Sequence, residues 1–270
     1  MNSILAIILS AVLSFGITAI LGFGVIPWLR KLKFGQTILE EGPKWHMSKQ
    51  GTPTMGGVMF IVGIFVSAAL VLVINTVTGN KLGFTGDMNT KLWAGIIMAL
   101  MFGLVGFADD YIKVVKKRNL GLTIKQKTAL QIVLMVGYLL TLFINDPTGA
   151  TFIPFVGMVE TKFFFWVIGF AVIYATTNAV NFTDGVDGLC GSVRLTAALS
   201  FVAIAALREC FGISLLASAL AGGLVGYLIW NWHPAKVMMG DLGSMFLGGL
   251  VVAFAYAVDC PIIILLTGII

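Results

Sequence analysis

The chain has 270 residues, of which 59% are hydrophobic and 11% are charged, and its formal net charge is +5. Soluble domains carry about 25% charged residues, so this composition excludes an ordinary soluble protein and predicts an all-α polytopic membrane protein. The basic residues lie in short loops between apolar runs. That arrangement favours membrane lipids and an anionic substrate as partners over nucleic acid.

Eight charge-free runs predict transmembrane helices, which need about 20 apolar residues each. In chain order they are Met1–Leu29, Gly51–Asn80, Leu92–Ala108, Thr128–Asn145, Phe163–Thr183, Leu195–Leu207, Cys210–Ala235 and Leu242–Val258. The sixth run is short, so we expect Arg194 and Arg208 to extend towards water from its two ends. A partial ninth run, Cys260–Ile270, has eleven residues. It predicts a native protein that continues through a ninth span.

The lysines and arginines predict the orientation of these spans. Of the 17 in the chain, 13 lie in alternate loops, and the remaining loops hold Lys81, Lys91, Lys162 and Arg208. The positive-inside rule makes the richer loops cytoplasmic and puts the N-terminus outside. We expect a single domain, 1–270, with cytoplasmic active-site loops at about 30–56, 109–127, 181–194 and 231–241. On the outer side, the segment 151–160 is predicted to form a short hairpin.

Carboxylates gather at span ends on the predicted cytoplasmic side. Asp109 and Asp110 end the third span, Asp184 and Asp187 follow the fifth, and Asp241 precedes the eighth. Charge beside hydrocarbon is costly, and adjacent carboxylates at a helix C-terminus repel each other, so stability alone does not favour this pattern. A divalent cation or a nearby lysine would relieve the repulsion. The pattern therefore predicts a metal-dependent site that acts on phosphates.

Two other segments suit the same chemistry. The segment 42–57 brings lysines, hydroxyls and glycines to the start of the second span, where they can hold phosphate oxygens. The sequence NFTDGVDG at 181–188 lacks the alternating ligands of an EF-hand calcium loop, but its glycines allow a ligand to approach the backbone closely. The histidines His46 and His233 fit no metal-binding spacing.

Four motifs together resemble those of the phospho-N-acetylmuramoyl-pentapeptide transferase family: GTPTMGG at 51–57, FADDYIK at 107–113, NFTDGVDG at 181–188 and NWHPAKVMMGD at 231–241. The match runs in order from about residue 30 to residue 250. TPTMGG is specific to this family, whereas the acidic motifs are shared by the wider polyprenyl-phosphate N-acetylhexosamine-1-phosphate transferase superfamily. The resemblance implies a bacterial cytoplasmic-membrane protein with ten transmembrane helices that usually forms a homodimer.

The resemblance also implies a reaction and its residues. UDP-N-acetylmuramoyl-pentapeptide would donate its phospho-sugar to undecaprenyl phosphate, giving lipid I and UMP for peptidoglycan synthesis, with Mg²⁺ as cofactor. The implied catalytic residues are Asp109, Asp110 and Asp241, with Asp241 as the magnesium ligand. The implied substrate-binding residues are Lys49, Thr54, Lys113, Lys117, Lys125, Asn181, Asp184, Asp187, Gly188, Asn231 and Met238.

Two alternatives stay open beside this interpretation. A sister transferase that moves N-acetylglucosamine-1-phosphate to the same lipid would share the acidic motifs, although TPTMGG argues against it. A transporter would place acids at mid-membrane, whereas these acids lie at span ends. The sequence also departs from the family pattern. Met238 stands where an aromatic residue is expected to stack on uracil, and the family's histidine-rich motif is not found in the 270 residues.

Overall fold

A computed structural model of the protein describes residues 2–32, 51–78, 86–116 and 120–264, with residues 86–89 described as backbone only. Each of the eight long helices in these ranges is long and apolar enough to cross a membrane. The prediction of an all-α polytopic membrane protein with eight full spans is therefore confirmed. The helices are α1 Ser3–Lys31, α2 Gly57–Val77, α3 Gly86–Val115, α4 Ile124–Asn145, α5 Phe163–Thr183, α6 Leu189–Leu207, α7 Phe211–Asn231 and α8 Gly240–Ala257.

Helices α7 and α8 form the centre of the bundle and are buried along almost their whole length. Helix α7 packs against α1, α2 and α6, and α8 packs against α3 and α5. Glycines allow the closest approaches, as is common between transmembrane helices. A β-carbon on Gly222 of α7 would overlap the backbone oxygen of Ala11 in α1. A β-carbon on Gly57 of α2 would overlap Gly243 of α8.

Helices α3, α4 and α6 each extend several residues beyond the charge-free runs predicted for them. Helix α3 continues past Ala108 to Val115, so Asp109 and Asp110 lie inside its last turns and not at its end. Helix α6 begins at Leu189, because Gly188 adopts a left-handed conformation (φ +72°) that ends the preceding loop. Arg194 therefore lies inside α6 with a fully buried side chain, and the prediction that it extends towards water is wrong. These differences arise because an interior charge stops an apolar run without ending the helix.

The second and seventh spans are shorter than predicted. Helix α2 begins at Gly57, because the preceding residues pair with the segment that leads into α8. The amide of Gly56 donates to the carbonyl of Met238 at 2.9 Å, and the amide of Met238 donates to the carbonyl of Pro53 at 2.9 Å. Helix α7 ends at Asn231, four residues before the predicted end. Residues 232–239 then form the segment that leads into α8.

The predicted hairpin is present between α4 and α5. Strands β1 (Ala150–Ile153) and β2 (Gly157–Glu160) pair antiparallel. The amide of Phe152 donates to the carbonyl of Asp259 at 2.6 Å, and the Asp259 carboxylate pairs with Lys91 at 2.5 Å. The hairpin therefore covers the C-terminal end of α8, which is the end opposite Asp241. Beyond α8, Pro261–Ile263 forms a short 3₁₀ helix, and residues 265–270 of the predicted ninth run lie outside the described residues.

The two ends of the bundle are predicted to face opposite compartments. Lys116→Cys, beside the acidic end, should react with a membrane-impermeant maleimide only in inside-out vesicles, and Phe155→Cys, at the hairpin tip, only in right-side-out ones. The native cysteines are buried, which limits background labelling. Burial also raises the pKa of the Cys210 and Cys260 thiols, so less reactive thiolate is present. Labelling in the reverse pattern would contradict the assigned orientation.

Candidate active site

Three carboxylates from two helices meet at one end of the bundle. Asp109 and Asp110 come from α3, and Asp241 comes from the first turn of α8. Each offers an oxygen that lies within 4.8 Å of the others. Helix packing causes this meeting, because a β-carbon on Gly106 of α3 would overlap the backbone oxygen of Asp241. The position at the start of α8 also favours the Asp241 carboxylate electrostatically.

Two lysines offset most of this negative charge. Lys113 lies one turn after Asp109, and its Nζ is 2.5 Å from Asp109, 3.5 Å from Asp110 and 3.3 Å from Asp241. Lys127, on the first turn of α4, places its Nζ 2.8 Å from the same Asp241 oxygen. Ion pairs in such a partly buried setting are screened less than pairs on an open surface. The repulsion expected from the sequence is thus relieved by lysines.

Further hydrogen bonds hold each carboxylate in place. The amide of Leu122 donates to Asp109 Oδ1 at 2.8 Å, and the amide of Leu242 donates to Asp110 Oδ2 at 3.3 Å. Asn181 Nδ2 on α5 lies 2.9 Å from Asp241 Oδ1 and 2.9 Å from the hydroxyl of Ser244. The carboxylates are therefore oriented by partners from α3, α5, α8 and the loop before α4.

The GTPTMGG segment at residues 51–57 lies against this cluster. Gly240 has φ +72°, and a β-carbon there would lie 2.5 Å from Asp110 Oδ2 and 2.6 Å from the hydroxyl oxygen of Thr54. The hydroxyl of Thr54 is therefore close to the Asp110 carboxylate. The amide of Gly240 donates to Asp184 Oδ2 at 2.9 Å. Thr54 and Asp184 are brought to the edge of the cluster by these contacts.

A second group of predicted residues ties two loops together. Asp187 Oδ2 lies 2.9 Å from Nδ1 of His233 and accepts a bond from the amide of Ala235 at 3.2 Å. Asn231 accepts from the amide of Gly188 at 3.0 Å and donates to the carbonyl of Val237 at 2.9 Å. Its side chain is almost fully buried. The amide of Asn231 thus joins the loop after α5 to the loop before α8.

The structure separates the predicted site residues into groups. Asp109, Asp110, Asp241, Lys113 and Asn181 come together, with Thr54 and Asp184 at the edge. Lys125 is exposed on the first turn of α4, and Met238 is buried with 1% exposure. Lys49 and Lys117 lie outside the described residues.

Two residues at the cluster were not predicted from the sequence as site residues. Lys127 contacts Asp241, and Ser244 shares Asn181 with it. Helical spacing carried a signal for Ser244 alone, because the partner of Lys127 lies on another helix. Lys127 is the last charge before the fourth apolar run, and Ser244 follows Asp241 by three residues and so lies on the same helix face.

The donor set of the cluster suits a hard cation. Carboxylate oxygens are the ligands that Mg²⁺ prefers, and three of them converge here. One oxygen of Asp241 already contacts both Lys113 and Lys127. A cation at Asp241 would therefore share this oxygen with the lysines or displace them. Together the acids and lysines can bind phosphates, neutralise charge and accept a proton.

Comparison with known proteins agrees with this chemistry. The model of glycosyl transferase family 4 matches residues 92–259, which include all three carboxylates of the cluster. The phospho-N-acetylmuramoyl-pentapeptide-transferase signature 1 matches residues 49–61, which include Thr54.

Named relatives cover most of the chain. The phospho-N-acetylmuramoyl-pentapeptide-transferase of Listeria monocytogenes serovar 1/2a is 41% identical over 252 residues, which is 91% of this chain and 73% of the relative. Those of Halalkalibacterium halodurans and Desulforamulus reducens are 40% and 39% identical over 97% and 96% of this chain, and 78% and 76% of their own length. The chain belongs to the phospho-N-acetylmuramoyl-pentapeptide-transferase family.

Proposed function

We propose that this protein transfers phospho-N-acetylmuramoyl-pentapeptide from its UDP-linked precursor to undecaprenyl phosphate, giving lipid I and UMP for peptidoglycan synthesis. The observation that carries the proposal is the cluster of Asp109, Asp110, Asp241, Lys113 and Lys127 in a chain about 40% identical to transferases of that name. The protein is a multi-pass protein of the bacterial inner membrane. Its single domain, 1–270, would present the active-site loops on the cytoplasmic side.

The proposed reaction joins two anions, so positioning and charge neutralisation provide most of the catalysis. An oxygen of the lipid phosphate attacks the phosphorus that carries the sugar. The bridging P–O bond of the diphosphate breaks, and UMP leaves with the bridging oxygen. Lys113 and Lys127 hold phosphate oxygens as mobile point charges. Lys49, Lys117 and Lys125 are proposed for the same role from the family motif alone.

Asp109 or Asp110 accepts the proton of the lipid phosphate in this scheme. The partners of Asp110 lie at 3.3 and 3.5 Å, whereas those of Asp109 lie at 2.5 and 2.8 Å. Asp110 is held less tightly, which favours it as the proton acceptor. The deprotonated lipid phosphate is a competent nucleophile, so we favour direct attack over a covalent enzyme intermediate.

The proposed metal is Mg²⁺, with Asp241 as its main protein ligand. Asp109 and Asp110 lie close enough to contribute oxygens. When bound, Mg²⁺ would neutralise charge on the diphosphate and on the departing UMP. Asn181 orients the Asp241 carboxylate through its 2.9 Å bond.

The nucleotide sugar is proposed to bind beside the loops after α5 and before α8. Asp184, Asp187 and Gly188 would orient it from the first loop, and Thr54 would contact its phosphates. Asn231 and Met238 are each 1% exposed, so they are proposed to position the loops from beneath. The transferase signature at residues 49–61 favours the muramoyl nucleotide over UDP-N-acetylglucosamine. A transporter is not favoured, because the acids gather at one end of the bundle.

Product analysis tests the substrate. We expect the protein, in detergent with Mg²⁺ and undecaprenyl phosphate, to convert UDP-N-acetylmuramoyl-pentapeptide to lipid I and UMP. UDP-N-acetylglucosamine should give no lipid product under the same conditions. Thin-layer chromatography and mass spectrometry of the lipid fraction measure both reactions. Preferential formation of the glucosamine lipid would overturn the assignment.

Substitution of Asp241 tests the metal site. Asp241→Asn should lower kcat by about a hundredfold or more, because the main charged ligand is lost while the side-chain shape is kept. EDTA should abolish the activity of the unmodified protein, and added Mg²⁺ should restore it. Glu160→Gln, at the opposite end of the bundle, is the matched control and should keep full activity. Full turnover in EDTA would refute the role of the metal.

The homodimer is proposed from the family resemblance alone, without an assigned interface. Native mass spectrometry from mild detergent should detect a species of twice the 28.9 kDa chain mass. A monomer alone, with lipid retained, would argue against a stable dimer.

A further inference from the structure

A pair of amide side chains lies one turn below the carboxylate cluster. Gln131 on α4 and Asn178 on α5 exchange two hydrogen bonds, each 3.4 Å long between nitrogen and oxygen. Asn178 Nδ2 also donates to the carbonyl of Tyr174 at 2.8 Å, which restricts its rotamer. Gln131 is 2% exposed. The pair therefore forms a polar link between two helices within the apolar part of the bundle.

This link lies directly beneath two residues that reach Asp241. Gln131 follows Lys127 by four residues, and Asn178 precedes Asn181 by three, so each amide shares a helix face with a residue of the cluster. Lys127 and Asn181 contact opposite oxygens of Asp241, at 2.8 and 2.9 Å. The orientation of the Asp241 carboxylate thus depends on how α4 and α5 are placed relative to each other.

Burial along α4 makes the first part of the helix depend on Gln131. Residues 124–130 are exposed or half-buried, and Gln131 is the first buried residue of the helix. The next buried residue is Met135, one turn further from Lys127. The turn that carries Lys127 therefore has no buried apolar anchor of its own. Gln131 is the first buried residue that follows this turn, and on its other side the amide of Leu122 holds the preceding loop to Asp109.

Two amide side chains are an energetically unfavourable choice for packing helices together in an apolar setting. Polar side chains within membrane spans are rare and usually serve a function, and interhelical hydrogen bonds of this kind add little stability. An amide pair has a property that leucines lack, because its hydrogen bonds set one register and one rotation between the helices. The link is thus suited to positioning.

We propose that Gln131 and Asn178 are positioning residues that hold Lys127 and Asn181 against Asp241. The proposal rests on the function above, since it assigns these residues to the transfer step. It predicts that breaking the link lowers kcat far more than it raises the KM for the nucleotide sugar, to which Lys127 is only one of several proposed contacts. The loops that would bind the nucleotide lie outside the link, so binding should persist while the geometry at Asp241 is lost.

Kinetics of single and double variants test this coupling. Gln131→Leu and Asn178→Leu should each lower kcat by about tenfold, the size typical of residues that orient a ligand from behind. The double variant should show the same tenfold loss, because either change alone breaks the pair. The swap Gln131→Asn with Asn178→Gln should restore most of kcat, since it rebuilds the link. Asn145→Leu, an amide at the other end of α4, is the matched control.

The contrary kinetic outcomes are equally clear. Wild-type kcat in both single variants would overturn the proposal, as would a double variant whose loss is the product of the two single losses. A rise in KM as large as the fall in kcat would indicate general loosening of the site and would also overturn the proposal. Thermal unfolding of each variant in detergent identifies any that fail to fold, and the swap then decides the question.

A distance measurement decides the proposal without turnover. Nitroxide labels on Ile124→Cys and Phe182→Cys, both exposed positions at the cluster ends of α4 and α5, report how these ends lie relative to each other. We expect a single narrow distance distribution that broadens or shifts in Gln131→Leu and narrows again in the swap. An unchanged distribution would overturn the proposal. Absence of transfer by the unmodified protein would instead overturn the proposed function.

Discussion

The charge balance around Asp241 is the interaction on which the acidic end of the bundle depends. Carboxylates buried beside hydrocarbon are destabilising unless they are paired and hydrogen-bonded. Lys113 and Lys127 supply that pairing here, and both also have the charge that a phosphate requires. The same contacts thus hold α3, α4 and α8 together, and in the proposed reaction they would form the surface for an anionic substrate. A phosphate that binds either lysine would weaken the contact between that lysine and Asp241. Substrate binding and cation binding are therefore coupled in the proposed reaction.

Close helix packing is what turns separate motifs into one site. Gly106 lets α3 lie against the start of α8, and Gly57 and Gly243 let α2 do the same from another side. Each contact also places the segment next to the helix. The segment 51–57, the pair Asp109 and Asp110, and the segment before α8 therefore converge. Larger residues at these positions would separate the helices and the side chains they carry. Packing in the apolar core therefore determines the distances between groups at the water-facing end.

Sequence patterns predicted the parts of the structure that depend on local composition. The eight spans follow from apolar runs, and the acids at their ends indicated the site, because charge is costly near a membrane. The end of α3 was misplaced, since an apolar run stops at Asp109 while the backbone continues through residues whose charges are paired. Arg194 was misplaced because α6 likewise continues through a charged residue that interrupts the apolar run. Lys127 needed a contact across the bundle to be recognised, and no periodic pattern points to Gln131 and Asn178.

Gly240 leaves little freedom for variation at the centre of this site. Its left-handed backbone disfavours any residue with a side chain, and the space a β-carbon would occupy is already filled by the Asp110 carboxylate and the Thr54 hydroxyl. Every substitution there meets a conformational penalty and a steric one together. An inhibitor that rests on the backbone of this glycine would touch a surface that the protein cannot reshape by point mutation without disturbing its own carboxylates.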